Sequence, residues 1–457
     1  MKHVVVGSGI VGIVIARTLQ EKGCKVVLVE SSEQVGGLLG KAIQYKCLNF
    51  DFGIHLIPST SNTELNRILH GKDEGYTREW NNFPVVKSGN FTLGVLNDQS
   101  AYMDIHHLPT ESYQKACSEI LNLQENEEMG HTLEEQISSR FGETIMQELY
   151  APAVQKLFGV SMKQLTPNAY QIFLPPRVIL GSKNINRELK CSGFYDQRIA
   201  YSTFDEAINI SAVHYYPKQG GVVGWVEAML SEFETFGGEV KKTTSIQSIN
   251  TNCKKSPYSI KLKTGKQIYA ESLWWTASPI GLVNLIGKKL NIDSPPTFRQ
   301  THLVHLVFDK PFSTDVQFVT CFDPALSLFR ITLYPNLVKP STEDKKVGWH
   351  CTVEFLNKEP IIEDERNVIS TIVKEIKCMG VVPESANLIF ATTQSLGNTF
   401  PVYDFAFKDL VTELSRVEQG FPKGIFLEGM AKGKNFFMRD VMLDAYKHAS
   451  DFFEDTN

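Results

Sequence analysis

The chain has no run of about 18 uninterrupted apolar residues, so no segment reads as a membrane-spanning helix. Nor is there a basic excess. Lys and Arg together number 46 against 51 Asp plus Glu, a formal net charge of −5, whereas a nucleic-acid or polyanion binder would carry a cationic surplus or run. Cysteine is sparse and scattered. Cys24, Cys47, Cys117, Cys191, Cys253, Cys321, Cys351 and Cys378 form no CxxC pair and have no histidine at ligand spacing, which argues against a disulfide framework and against a metal site. Met1-Lys2-His3 before Val4 to Val6 imitates a signal peptide, but Gly7, Gly9, Gly12 and Arg17 interrupt the apolar stretch and no small-residue cleavage site follows. These absences predict a soluble, cytoplasmic protein with reduced thiols, no nucleic-acid partner and no stable membrane insertion.

What is present is ordinary globular composition, 42% hydrophobic and 21% charged, enough to bury a large core. The 457 residues allow two or three domains at roughly 150 residues each. Val4 to Val6 form a short β-branched run, Gly7-Ser8-Gly9-Ile10-Val11-Gly12 turns into a helical pattern ending near Glu21, and Lys25 to Val29 make a second strand. In such a unit Gly7 permits the tight turn, Gly9 the close approach of a dinucleotide pyrophosphate, and Gly12 close packing of helix on strand. The unpaired amides of Ile10, Val11 and Gly12 at the helix N-terminus point a positive dipole end at the phosphates. Glu30 closes the second strand 21 residues after Gly9, where a carboxylate accepts the hydroxyls of an adenosine ribose.

Beyond Glu30 the chain reads Ser31-Ser32-Glu33-Gln34-Val35-Gly36-Gly37-Leu38. Here it resembles the flavin-binding superfamily of amine oxidases, protoporphyrinogen oxidases and UDP-galactopyranose mutases. The resemblance implies that Gly36 and Gly37 lie over an FAD pyrophosphate, and it adds Ser31 and Leu38 to the cofactor set. It implies that Phe50-Asp51-Phe52-Gly53-Ile54-His55 carries His55 toward the isoalloxazine. Tyr215 to Gly221, followed by a helix from Trp225 to Phe236 and a strand at Glu239, would re-enter the same domain. Gly424 to Ala431 would close it, bringing Gly429 and Met430 to the flavin before a helix from Val441 to Phe453. With no Cys or His beside these glycines, the implied FAD is non-covalent. The implied fold is α/β: a Rossmann-like FAD-binding domain of the GR2 type built from segments 1–95, 205–285 and 396–457, and a substrate domain from 96–204 and 286–395.

The substrate side shows a helical insertion at about 111–165, in which Thr132 and Glu135 form a capping-box signal ahead of Ile137, Phe141, Ile145 and Leu149. Pro295 to about Thr393 alternates like an antiparallel sheet with one exposed face, as in His302 to Phe308 and Gln317 to Phe322. Trp274 and Trp275 read as core, and Trp349 as a lining candidate. Three segments resemble the mutase branch: Leu174-Pro175-Pro176-Arg177, Phe329-Arg330-Ile331-Thr332 and Phe400-Pro401-Val402-Tyr403-Asp404. The resemblance implies that Arg177 and Arg330, unpaired, face one anionic pocket, where the guanidinium fork suits a diphosphate. The sequence departs from that branch at Met430, where mutases carry Arg, at Phe400 for Tyr, at Pro58 for His, and over Gly433-Lys434-Asn435-Phe436. The reading is therefore an FAD-dependent oxidoreductase acting on a small molecule, phosphorylated or glycosyl, with a non-redox sugar-nucleotide mutase as the alternative.

Overall fold

The computed structural model describes residues 2–71, 78–124, 130–207, 212–251, 256–357 and 364–452. Cys253 and the expected helix end at Phe453 lie outside them. A five-stranded parallel sheet has the order Glu239–Lys241, Lys25–Val29, Lys2–Val6, Ser272–Trp275, Ile425–Leu427. Its strands come from three distant stretches of sequence, as the resemblance implies, and both its faces are covered. Val5, Leu28 and Trp274 pack toward the helices Ile10–Glu21, Gly221–Thr235 and Met438–Asp451. Val4, Val27 and Trp275 pack toward the hairpin Tyr258–Leu262/Gln267–Ala270 and the helix Phe405–Glu418. Burial on both faces is why these strands are continuous β-branched and aromatic runs rather than alternating ones.

A second, seven-stranded sheet runs Leu388–Pro401, Phe298–Phe308, Trp349–Asn357, Leu328–Leu333, Phe318–Cys321, Ser88–Thr92, Val95–Asn97. It is antiparallel except where Phe318–Cys321 lies parallel to Ser88–Thr92. The expected alternation holds over Gln317 to Cys321, where Phe318 and Thr320 are half-buried between buried neighbours, and is corrected at His302 to Phe308. From Thr301 to Phe308 every residue is buried, because Val304 and Leu306 face the helix Glu365–Cys378 while Val307 joins the core of the parallel-sheet domain. Polar His302 and His305, three residues apart, lie on opposite faces of that strand, His302 against Phe355 and His305 against Phe50 and Thr352, and both faces are covered.

The helical insertion spans Thr110–Leu121, Leu133–Phe141 and Ala151–Phe158 and continues through Lys183–Leu189, beyond the expected end. Ile137, Phe141, Ile145 and Leu149 all enter its core, but across a break at Gly142, whose φ is +90°. The capping box is half formed. Thr132 accepts from the Glu135 amide at 3.3 Å, while the Glu135 carboxylate turns to the His131 amide at 2.7 Å.

Candidate cofactor and substrate site

The glycine turn joins the first parallel strand to the helix Ile10–Glu21. Two of its three glycines answer to the protein itself. Gly7 has φ +97°, and a Cβ there would lie 2.5 Å from Thr276 Oγ1; a Cβ on Gly12 would lie 1.9 Å from Gly7 O. Gly9 does not. Its φ of −63° and ψ of 169° suit any residue, and a Cβ built on it meets nothing within 4 Å. The side-chain space at Gly9 is open, at the point where the helix presents its first amides. Gly37 leans over this space, since its Cβ would come 3.4 Å from Gly9 Cα, and Gly429 closes it from the C-terminal side, 3.5 Å from the Val11 side chain by the same measure. The cradle thus fits a pyrophosphate whose partners are backbone amides. Leu38 and Met430 border it with exposed side chains, 41% and 48% accessible.

Glu30 is nearly buried and more fully engaged than expected. Oε2 accepts from Ser8 N at 2.9 Å and Ser8 Oγ at 2.6 Å, and Oε1 from Ser32 N at 2.8 Å and Ser31 Oγ at 3.2 Å. Burial raises its pKa, but these donors outweigh burial and hold it below the usual carboxylate range. Ser8 Oγ in turn accepts from the Gly36 amide at 3.1 Å. One carboxylate therefore ties the glycine turn to the glycine pair. Ser8, an unspecified position inside the glycine motif, is a site residue that the sequence reading missed; its only signal was a hydroxyl small enough for that turn.

Around the second segment, Gly53 stands against Glu354: a Cβ on Gly53 would sit 3.1 Å from Glu354 Oε2. Glu354 is 2% exposed and holds Arg330 in a bidentate pair, Nε to Oε1 at 2.7 Å and Nη2 to Oε2 at 2.8 Å. His55 is half-buried, its Nε2 3.2 Å from Phe52 O. Burial first, and the Arg330 charge second, hold its pKa down at about 4. So two candidates from separate parts of the sequence, His55 and Arg330, are neighbours. Glu354 was missed, although a lone carboxylate in the apolar strand Cys351-Thr352-Val353-Glu354-Phe355-Leu356 was the available signal. Next to it runs a buried chain of hydrogen bonds, from His305 Nδ1 to Thr352 Oγ1 at 2.9 Å, on to Tyr334 Oη at 2.8 Å, and from that hydroxyl to Asp51 O at 2.9 Å. The Asp51 carboxyl accepts from Tyr216 Oη and the Val222 amide, and burial, outweighing both, pushes its pKa up to about 6. His305 Nε2 and Thr332 Oγ1 have no hydrogen-bond partner among the described residues.

The expectation of two unpaired arginines is corrected. Arg330 is held by Glu354, and Arg177 donates from Nε to Asp196 O at 2.6 Å with its Nη2 3.7 Å from the Asp196 carboxylate. Two of the three mutase-like segments meet, together with the residue just before the third, but through phenylalanines. The Phe173 ring lies 5.1 Å from Phe329 and 4.8 Å from Phe400, and Phe400 lies 5.9 Å from Phe436. Strand alternation explains the swap: Phe329 joins the core of the helical insertion, while the next residue, Arg330, turns to Glu354 and His55. Beyond Phe436 opens a cavity of about 410 Å³ lined by Phe298, Tyr403, Phe407, Leu414 and Met430. Trp274 and Trp275 are buried, and Trp349 opens a sheet strand half-buried.

Residues 5–71 match the NAD(P)-binding Rossmann-like domain family. A search of curated proteins found no match. Among solved structures, a reduced UDP-galactopyranose mutase is 14% identical with a TM-score of 0.76, over 99% of this chain and 94% of that one. A protein described as a protoporphyrinogen oxidase, from Exiguobacterium sp., is 16% identical with a TM-score of 0.67, over 100% and 98%. An oxidoreductase from Methanosarcina mazei is 15% identical with a TM-score of 0.60, over 98% and 99%. Along its whole length the chain therefore has the fold shared by these mutase and oxidoreductase structures, entered through a Rossmann-like dinucleotide-binding domain.

Proposed function

We propose that the chain is an FAD-dependent oxidoreductase, with segments 1–95, 205–285 and 396–457 carrying the cofactor and 96–204 and 286–395 the substrate. The observation that carries the cofactor reading is Gly9, a glycine for which the protein itself supplies no reason. The amides of Ile10, Val11 and Gly12 would hold the pyrophosphate, Gly36 and Gly37 would cover it, and Glu30 would take the ribose hydroxyls by trading its longest contact, that to Ser31. Bound there, FAD would supply a two-electron acceptor at N5 for hydride from a carbon beside nitrogen or oxygen. The chain's part is to orient the substrate and keep water out, through the aromatic cluster and the Tyr403 cavity, while the Arg330–Glu354 pair fixes the position and charge of His55.

The likeness to a mutase structure keeps the non-redox alternative in view. Against it stand the engaged Arg177 and Arg330, Met430 in place of Arg, and phenylalanines where phosphate donors would be needed. One experiment tests both. Protein saturated with FAD is washed, heated and scored for released flavin, and the loaded form is mixed anaerobically with candidate substrates. Bleaching that recovers with an electron acceptor supports the oxidoreductase. Turnover only after prior reduction, with no net electron flow, supports the mutase, and no released flavin ends both.

A further inference from the structure

We propose that the substrate is an amphipathic organic anion, its apolar part seated in the cavity beside Met430 and its anionic head held by Lys408 and Lys434. The inference rests on the reading of this region as a substrate pocket and names the class of molecule it takes. The cavity of about 410 Å³ is apolar over most of its wall, including Phe298, Pro401, Leu414 and Met430, and no charged side chain among the described residues lines it. A second cavity of about 350 Å³ adjoins it, sharing Tyr403, Phe407, Val411, Gly433 and Phe436. Among the described residues the charged side chains on that second wall are Lys408 and Lys434, beside the amide-bearing Asn168 and Gln171.

Charge decides the occupant. Lys408 and Lys434 enter no ion pair among the described residues, whereas Lys432, two residues from Lys434, is held by Glu428 at 3.0 Å and Glu418 at 3.9 Å. Two cations on the wall of the second cavity, with no carboxylate on either wall among the described residues, repel a cationic ligand and attract an anionic one. The two volumes together match what an organic ligand of moderate size needs. The cavity mouth is apolar as well: Ile280 and Met430, both on its wall, are 51% and 48% exposed.

The test is calorimetric titration of the FAD-saturated protein, below the critical micelle concentrations, with laurate, dodecyl phosphate and dodecyltrimethylammonium. Laurate and dodecyl phosphate should bind and the cation should bind at least tenfold more weakly; the two anions differ only in which head the lysines prefer. In the double variant K408E/K434E, surface changes that leave the melting temperature in place, both anions should weaken by about tenfold and the cation should gain. V411F, which fills the shared wall, should weaken all three. Equal binding of anion and cation would overturn the proposal, and so would absence of binding. Self-association of the chain that V411F abolishes would overturn it too, by assigning the cavity to a second copy. Flavin released from the same preparation is scored separately, so loss of the cofactor reading and loss of the ligand reading are told apart.

Discussion

Gly9 and Gly12 are three residues apart and differ in what demands them. A side chain at Gly9 enters open space from an ordinary backbone conformation, so Gly9→Val should leave the apoprotein's stability within about 1 kcal/mol while abolishing FAD binding. Gly12→Ala should do the reverse in order of severity. Its Cβ would meet the Gly7 carbonyl at 1.9 Å, and overpacking of this kind costs about 1 to 3 kcal/mol before any ligand is considered. Denaturant titration of both apoproteins with flavin content in parallel checks the pair; equal destabilisation by the two would remove the case for a ligand at Gly9. Glu30 belongs to neither extreme. Because it holds Ser8 and, through it, Gly36, Glu30→Ala should weaken FAD at least tenfold and also lower stability by about 1 to 3 kcal/mol through the stranded Ser8 amide. A variant of unchanged stability would mean that the carboxylate serves the ligand alone.

At the level of elements, the pairing of Leu328–Leu333 with Trp349–Asn357 is where chemistry and architecture coincide. That register sets Arg330 opposite Glu354. Glu354 is buried, so removing its partner leaves a charge with nothing to compensate it, and Arg330→Met should cost about 3 to 5 kcal/mol. The double variant R330M/E354M should recover most of that loss, because the desolvated charge goes with its partner. If Arg330→Met proved as mild as an exposed-charge deletion, Arg330 would be free to serve a substrate, as the mutase resemblance implies. The helical insertion offers a smaller test. Thr132 caps the helix Leu133–Phe141, and Thr132→Ala should cost about 1 kcal/mol, read as a shift in urea midpoint without change in flavin content.

The whole molecule should be acid-labile. Burial holds His3 and His305 at about 4, well below the 6.5 of free imidazole, and His55 and His350 stand near the same value. As pH falls below 6.5 the unfolded chain takes up protons before the folded one, so the stability present above pH 6.5 is lost on the way to pH 4, by up to about 3 kcal/mol for each fully buried ring. Asp51 runs the other way. Its folded pKa is raised from 3.8 to about 6, so its contribution is full below pH 3.8 and lost as pH rises through 6. Four imidazoles outweigh one carboxyl, and urea unfolding should show lower stability at pH 4.5 than at pH 7. His305→Asn should shrink that difference and Asp51→Asn should enlarge it. A midpoint that does not move between the two pH values would show that these histidines are hydrated in solution.

The sequence by itself determined what depends on local order: the strand, glycine turn, helix and second strand, with Glu30 at its end, while the later returns of the chain to the same sheet near Glu239 and Ile425 are what the resemblance implies. These are legible because a parallel sheet covered on both faces demands continuous β-branched and aromatic runs, and because a phosphate cradle demands glycines at fixed spacing. Only the tertiary structure decided what the polar residues do. Nothing near Arg330 in sequence announces Glu354, and nothing near Leu174 to Arg177 announces that Phe173, Phe329, Phe400 and Phe436 meet while the arginines turn to carboxylates. The alternation from His302 to Phe308 reads as a sheet with one exposed face, yet both faces are covered, His302 packing on Phe355 and His305 on Phe50. A side chain's local pattern fixes the side of its element on which it lies; whether that side meets solvent, a counter-charge or another core is set by other segments, tens to hundreds of residues away, and only packing brings those together.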